Sequence, residues 1–517
     1  MASGHINPSL PIARALRQLG HKVEYLCRQQ MRSAIEDTGA SFCDEIAECA
    51  ELYEGRKGEL FGARESLQKE YQIEEEGMAS WFKLGAIQTE MLMPGVLRWM
   101  KRLQPDVVIF CPMLNKEAFH AAQVLGIPSV PLLTTAGPGS MYGMMMQFLG
   151  NMTMEEAAEH GRTFPPTQEA AKRLEKTYGI KYFEEIDRHV STPGLLTSLE
   201  QADLTIVTTC EDMQDPVPAK LEAAYQQAGA TFAFVGPLLD QVGARRAAGH
   251  KYTDDHQVNH EQSQDGQADP FQELMKARAA GRPVVLASMG TVITGDSADF
   301  GWAVKPAETQ RKGLTGKQLC QAAWGGVFDA LGAKEGEPIE EKPLILLATG
   351  PQPDALEGLE VPQNALCFPA IPQVDLLRAG VDMFLTHGGQ NSFMESLATG
   401  VPVVVCPGFG DQPLNAQKAA DLQVGLQVPR PVPADGEEDV AIAIYRQDVA
   451  AAVQKVCTQP IFRDTAGLCS SRIQEAGGVQ RAVGLILQTA KPRASALPTL
   501  LVSSLELEKL KECAVSE

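Results

Sequence analysis

The chain has 517 residues, too many for one hydrophobic core and enough for two or three domains. Its apolar share (44%) and charged share (21%) are those of an ordinary globular protein. A net charge of −20 argues against nucleic acid as a partner, because such a surface needs a basic stripe. A phosphate-bearing small ligand stays compatible with that charge, since backbone amides and a helix terminus hold phosphate with few cations. Eleven cysteines without C-x-x-C or finger spacing point to a reducing compartment rather than a disulfide framework or zinc module. No apolar run reaches the ~18–20 residues that span a bilayer. Nor does the start, Met1-Ala2-Ser3-Gly4-His5, read as a signal peptide, so a cytoplasmic protein without an integral membrane segment is expected.

In chain order, residues 8–19 carry Leu10, Ala13, Leu16 and Leu19 on one helical face, with Asn7 as N-cap, Pro8 in the first turn and Gly20 as stop. Residues 23–27 alternate as a strand, and 51–95 read as helical and amphipathic. Further strands are expected at 107–110, 127–133, 203–209 and 232–235, with a helix at 116–125. The stretch 240–270 is polar and reads as a linker or insertion. Its His250, His256 and His260 fit a solvated segment better than a metal site. A second series of strands follows at 284–287, 344–348, 366–368, 383–385 and 403–406, interrupted by a polar insertion at 296–316. The segment 446–489 reads as helical in two pieces. Unbroken apolar strands between helices predict parallel sheets covered on both faces. The organisation is therefore α/β, two doubly wound Rossmann-like domains facing across a cleft. The units are 1–239, a polar linker 240–270, a second domain 271–470, a closing helix 471–490 and a peripheral tail 491–517.

The most informative stretch is 381–412, VDMFLTHGGQNSFMESLATGVPVVVCPGFGDQ. A buried strand ends at Thr386-His387, and Gly388-Gly389 permit a tight turn and close backbone approach. Asn391 and Ser392 open a helix, so its N-terminus lies just past the end of a parallel strand, which makes an anion site. His387 and Ser392 can donate to phosphate oxygens, and Glu395, one turn further, can accept from ribose hydroxyls. Asp411 and Gln412 leave the next strand end and would face whatever the phosphates carry.

This stretch resembles the signature box of the UDP-glycosyltransferase superfamily, as in plant natural-product and bacterial macrolide glycosyltransferases. Ile371-Pro372-Gln373, Ser288-Met289-Gly290-Thr291, Phe234-Val235-Gly236-Pro237 and Phe462-Arg463 with Gly477-Gly478 match further phrases of that family, in order. The resemblance implies the GT-B fold, with the second domain binding the nucleotide sugar and the closing helix returning to the first. It implies that His387 binds the pyrophosphate, with Thr291 near it and Asn391 and Ser392 on the phosphates. Gln373 would contact base and ribose, Glu395 the ribose hydroxyls, and Asp411 and Gln412 the sugar. Ala370 stands where the family has a tryptophan stacked on uracil, which leaves the nucleotide open.

Gly4-His5-Ile6-Asn7-Pro8 resembles the family's G-H-x-N-P, whose histidine is the general base; an imidazole with an ordinary pKa of about 6.5 suits that task. In the family a full central strand precedes this motif; here only Met1-Ala2-Ser3 do, implying a truncated sequence or a first sheet without that strand. Cys111 stands where the family has a base-orienting aspartate, and neither Glu117 nor Asp106 clearly aligns to replace it. No D-x-D motif is present, so no metal is expected, and no cofactor beyond a UDP-sugar co-substrate. Residues 141–154 hold six of 18 methionines, which suit either a pocket for varied apolar acceptors or an ordinary buried helix. The reading is an inverting glycosyltransferase moving a sugar from a nucleotide sugar, by resemblance a UDP-sugar, to a hydroxyl of a small lipophilic acceptor. The alternative is a catalytically inactive or truncated nucleotide-sugar-binding paralogue. A sugar epimerase of the same architecture is disfavoured, since its chemistry needs neither the G-H-x-N-P base nor the Asp-Gln pair.

Overall fold

A computed structural model of the chain describes residues 3–58, 60–247, 268–296, 301–303 and 313–490. The three linker histidines, the tail 491–517 and parts of both polar insertions lie outside these. Among the described residues, twelve strands are arranged in parallel sheets: β1 Glu24–Cys27, β2 Ser41–Asp44, β3 Val108–Phe110, β4 Ser129–Leu133, β5 Thr205–Val207, β6 Phe232–Phe234, β7 Val284–Ser288, β8 Leu344–Ala348, β9 Ala365–Phe368, β10 Met383–Thr386, β11 Val403–Val405 and β12 Gly425–Gln427. The last six form one sheet, in the order β12-β11-β10-β7-β8-β9; five of them lie where the sequence reads as apolar runs, and the edge strand β12 was not expected. Its central strands are buried on both faces, as parallel strands under helices must be.

The earlier six strands do not close into one sheet. Strands β3 to β6 form a four-stranded piece, and β1 and β2 pair only with each other. Among the described residues no strand joins β1 to β3, where the family resemblance implies a central strand. The helix Ser9–Gln18 buries Leu10, Ile12, Ala13 and Leu16. It packs on the closing helix Gly478–Thr489, whose Ala482, Val483 and Ile486 join the same apolar cluster as Val130, Leu132 and Ile206.

Several local expectations change. Residues 446–489 lie in three helices rather than two, Glu438–Thr458, Pro460–Glu475 and Gly478–Thr489. Proline at the start of the second and two positive-φ glycines, Gly477 and Gly478, make the breaks. The region 51–95 divides into Ala50–Tyr53, Leu60–Glu70 and Gly77–Leu103, because polar turns at 54–58 and 71–76 interrupt the apolar face. Asn7 does not cap the helix at Ser9. Pro8 holds the N-cap position, with no side-chain cap, while the Asn7 amide bonds the backbone of Ala247.

The two domains are held face to face by specific bonds. Lys418 Nζ donates to the Met213 carbonyl at 2.6 Å and to Asp215 Oδ1 at 2.9 Å, and within the first domain Ser140 Oγ supports the same carboxylate, donating to Asp215 Oδ2 at 2.6 Å. Gly410 N donates to Gln147 Oε1 at 2.8 Å. Among the described residues, no helix is long and apolar enough to cross a membrane.

Candidate active site

The second-domain half begins at the carboxyl ends of β7 and β10, which lie side by side with Ser288 opposite Thr386. The loops leaving these strands press together. A Cβ on Gly290 would stand 2.5 Å from His387 Cε1, and one on Gly389 would stand 2.6 Å from His387 Nε2. Gly290 has φ +77, so glycine is needed there both for conformation and for space. His387 is thereby wedged between two backbone turns, with Thr291 following directly after Gly290 on the β7 side. Burial lowers the His387 pKa to about 4, so at neutral pH the ring is uncharged and donates a single N–H. Gly388, with φ +81, brings the chain against Val405, where a Cβ would lie 2.4 Å from a valine methyl.

The helix Gln390–Ala398 starts at once from Gly389, without a side-chain cap. Its first amide, Gln390 N, donates to Asp411 Oδ2 at 2.9 Å. The amides of Asn391 and Ser392 make no hydrogen bond among the described residues, which is the orphan set that accepts an anion. Gln373 Nε2 donates to Ser392 Oγ at 3.1 Å and to Glu395 Oε2 at 2.7 Å. Gln373, Ser392 and Glu395 are thus gathered on one side of the helix start, as the sequence suggests. Asp411 and Gln412 are held differently from the expectation that both face a sugar. Burial raises the Asp411 carboxyl to about 6 while it holds the helix amide. Gln412 Oε1 accepts from Gly408 N at 2.8 Å and Phe409 N at 3.1 Å, so Asp411 anchors the start of the donor helix and Gln412 braces its own loop.

The first-domain half centres on His5. Its Nδ1 lies 3.2 Å from Thr134 Oγ1 and 3.4 Å from Cys111 Sγ, at the carboxyl ends of β4 and β3. Its Nε2 makes no hydrogen bond among the described residues. Burial lowers the His5 pKa to about 4, which keeps the imidazole neutral over the physiological range. Cys111 stands beside the ring, and Thr134, which the sequence reading did not single out, supplies the shorter contact. A threonine just past an apolar strand was the available signal. Glu117 does not back the ring: it accepts from Asn115 Nδ2 at 3.2 Å, and burial pushes its carboxyl up to about 7. Asp106 precedes β3 and so lies at the opposite end of that strand from Cys111.

The two halves touch at this point. Asn391 Nδ2 donates to the Gly4 carbonyl at 2.7 Å, joining the start of the donor helix to the residue next to His5. The Asn391 side chain therefore bridges the domains rather than facing phosphate. A second crossing was missed from sequence. Residues 240–247, the start of the expected loose linker, are pinned in place. Asp240 is buried against Arg14 at 2.9 Å, and Arg246 Nη2 donates to Glu395 Oε1 at 2.6 Å. The pair Arg245-Arg246 inside a low-apolar stretch was the only hint. On the acceptor side, Met141, Met144 and Met154 are buried, Met145 and Met152 partly so, and Met146 is exposed. The core reading holds for the first three of these.

Residues 342–472 match the family described as UDP-glucoronosyl and UDP-glucosyl transferase. The chain is 22% identical to the NDP-glycosyltransferase YjiC of Bacillus subtilis (strain 168), with 94% of each chain covered. Its fold is similar to the solved glycotransferase of kitacinnamycin (TM-score 0.55, 20% identity, 95% of this chain and 97% of that one). It is also similar to Os79 from O. sativa in complex with U2F and trichothecene (TM-score 0.54, 18% identity, 95% and 98% covered).

Proposed function

Because the chain belongs to the UDP-glycosyltransferase superfamily and has its GT-B architecture, we propose that it is a glycosyltransferase that moves a sugar from a UDP-sugar to a hydroxyl of a small lipophilic acceptor, with inversion. The observation that carries this reading is the Asn391–Gly4 bond, which sets His5 beside the amide-rich start of the donor helix. The diphosphate rests on the Asn391 and Ser392 amides and the helix dipole, beside the wedged His387 ring. His5 Nε2 takes the proton from the acceptor hydroxyl. The acceptor oxygen forms a bond to the anomeric carbon while the bond from that carbon to the diphosphate oxygen breaks. The nucleoside diphosphate leaves on the face opposite the attack, which inverts the configuration. Charge developing on it is stabilised by amides already oriented toward it. Thr134 and Cys111 hold Nδ1, so the ring presents Nε2.

A second reading, binding of the nucleotide sugar without transfer, is favoured by one feature: no carboxylate hydrogen-bonds His5 among the described residues. The test for both is a panel of nucleotide sugars in thermal shift, followed by turnover with phenolic and terpenoid alcohols and NMR of the product anomer. A native-state ligand raises the melting temperature. Binding and an inverted product support the enzyme. Binding without product supports the second reading, and a retained anomer removes the single-displacement mechanism.

A further inference from the structure

The expected ribose-binding carboxylate, Glu395, is already engaged on both oxygens. Oε1 accepts from Arg246 Nη2 at 2.6 Å and Oε2 accepts from Gln373 Nε2 at 2.7 Å. The Glu395 side chain is only 6% exposed, whereas that of Arg246 is 29% exposed, so Arg246 is the more accessible member of the pair.

Arg246 belongs to a strap, residues 240–247, that continues from β6 and lies over both halves of the site. On the first domain, Asn7 Nδ2 donates to the Ala247 carbonyl at 3.2 Å and Ala247 N donates to Asn7 Oδ1 at 2.8 Å. Arg245 N donates to Asp37 Oδ2 at 3.0 Å, and the Ala247 methyl is buried in the cluster of Ile6, Leu10 and Met31. On the second domain, Gly243 N donates to Asp375 Oδ2 at 3.0 Å, and Arg378 donates to the Asp240 carbonyl. The strap is thus fastened two residues from His5 and on the donor helix at its 246–247 end, and on the helix Gln373–Gly380 at its 240–243 end.

We infer that Arg246 is an internal competitor for the donor subsite: its guanidinium holds the place of the ribose diol on Glu395, and a nucleoside diphosphate must displace it to bind. This rests on the reading of the helix start as a nucleotide-sugar site. Glu395 lies one helical turn beyond Asn391, about 6 Å along the axis, which is the offset of a ribose from the phosphate it carries. The Arg246 guanidinium and a ribose hydroxyl both offer a donor to Glu395 Oε1, so they compete for that atom. Arg246 then sets donor affinity, and it sets it too weak by the free energy of one partly exposed ion pair.

Calorimetry of UDP binding, with TDP in parallel, on the full chain tests this. Arg246→Ala should bind UDP roughly 3- to 10-fold tighter than the unsubstituted protein, and Arg246→Lys should fall between them. Hydrogen exchange gives an independent readout. UDP should speed exchange at the Arg245 and Ala247 amides, which lose their Asp37 and Asn7 partners when the strap lifts. Equal or weaker binding by Arg246→Ala, or slower exchange at those amides with UDP, overturns the competitor role while leaving the donor site standing. If neither nucleotide gives heat with either protein, the nucleotide-sugar reading fails, and this inference with it.

Discussion

The two domains carry their half-sites in opposite ways. In the second, every expected donor residue falls within residues 291–412 on one continuous six-stranded sheet, and His387, Ser392 and Glu395 are within nine positions of one another. In the first, the sheet is in two pieces, and the surroundings of His5 come from positions 106 and 129 residues away, at Cys111 and Thr134. A local motif survives in sequence because a strand, a turn and a helix fix it by themselves. A site assembled from distant strand ends leaves only isolated residues, each of which has an ordinary structural explanation.

The largest test of this contrast is His5→Ala. Loss of a general base typically costs 10²- to 10⁴-fold, so kcat should fall by about that much while UDP affinity changes by less than about twofold. Turnover retained in that variant would detach the first domain from the chemistry. Gly290→Ala strikes the other half. Its Cβ would meet His387 at 2.5 Å in a backbone region that disfavours side chains, so thermal unfolding should report a loss of about 1–3 kcal/mol and calorimetry weaker donor binding. An unchanged variant would show that the His387 wedge is loose.

The pH dependence separates the two histidine environments further. A base must be unprotonated, and burial lowers the His5 pKa from 6.5 to about 4. The acid limb of kcat/KM should therefore lie near pH 4, with activity kept as pH falls through 6.5. Cys111→Asp places a carboxylate beside Nδ1, which favours the imidazolium, so that limb should move to higher pH. A limb that stays fixed would mean that Cys111 does not face the catalytic proton. The smallest effect is expected for Asn391→Ala. It removes one cross-domain bond of 2.7 Å, worth about 0.5–1.5 kcal/mol, and should lower kcat a few-fold by loosening the approach of His5 to the donor helix.

The fold was largely legible, because β7, β8, β10 and β11 are unbroken apolar runs and β-branched or large residues there have no other use. What was not legible follows from long-range partners. Asn7 has the residue type and position of a cap, yet a backbone 240 residues away takes its amide. Low apolar content at 240–247 suggested a loose linker, but polar side chains also serve when they meet buried partners, as Asp240 meets Arg14 and Arg246 meets Glu395. Composition reports whether a segment can build a core. It does not report whether another part of the chain has reserved hydrogen bonds for it.

Asp215 bears on how the molecule can come apart. Its carboxylate is 2% exposed and is neutralised by a lysine from the other domain. Swinging the halves fully open would strand that charge in a surface shaped to exclude water, against a serine that can offset only part of the cost. The halves should therefore melt together in one transition, and either half expressed alone should be the less stable for lacking its counterpart. Ligand exchange would proceed by local yielding along the cleft edge rather than by a wide hinge.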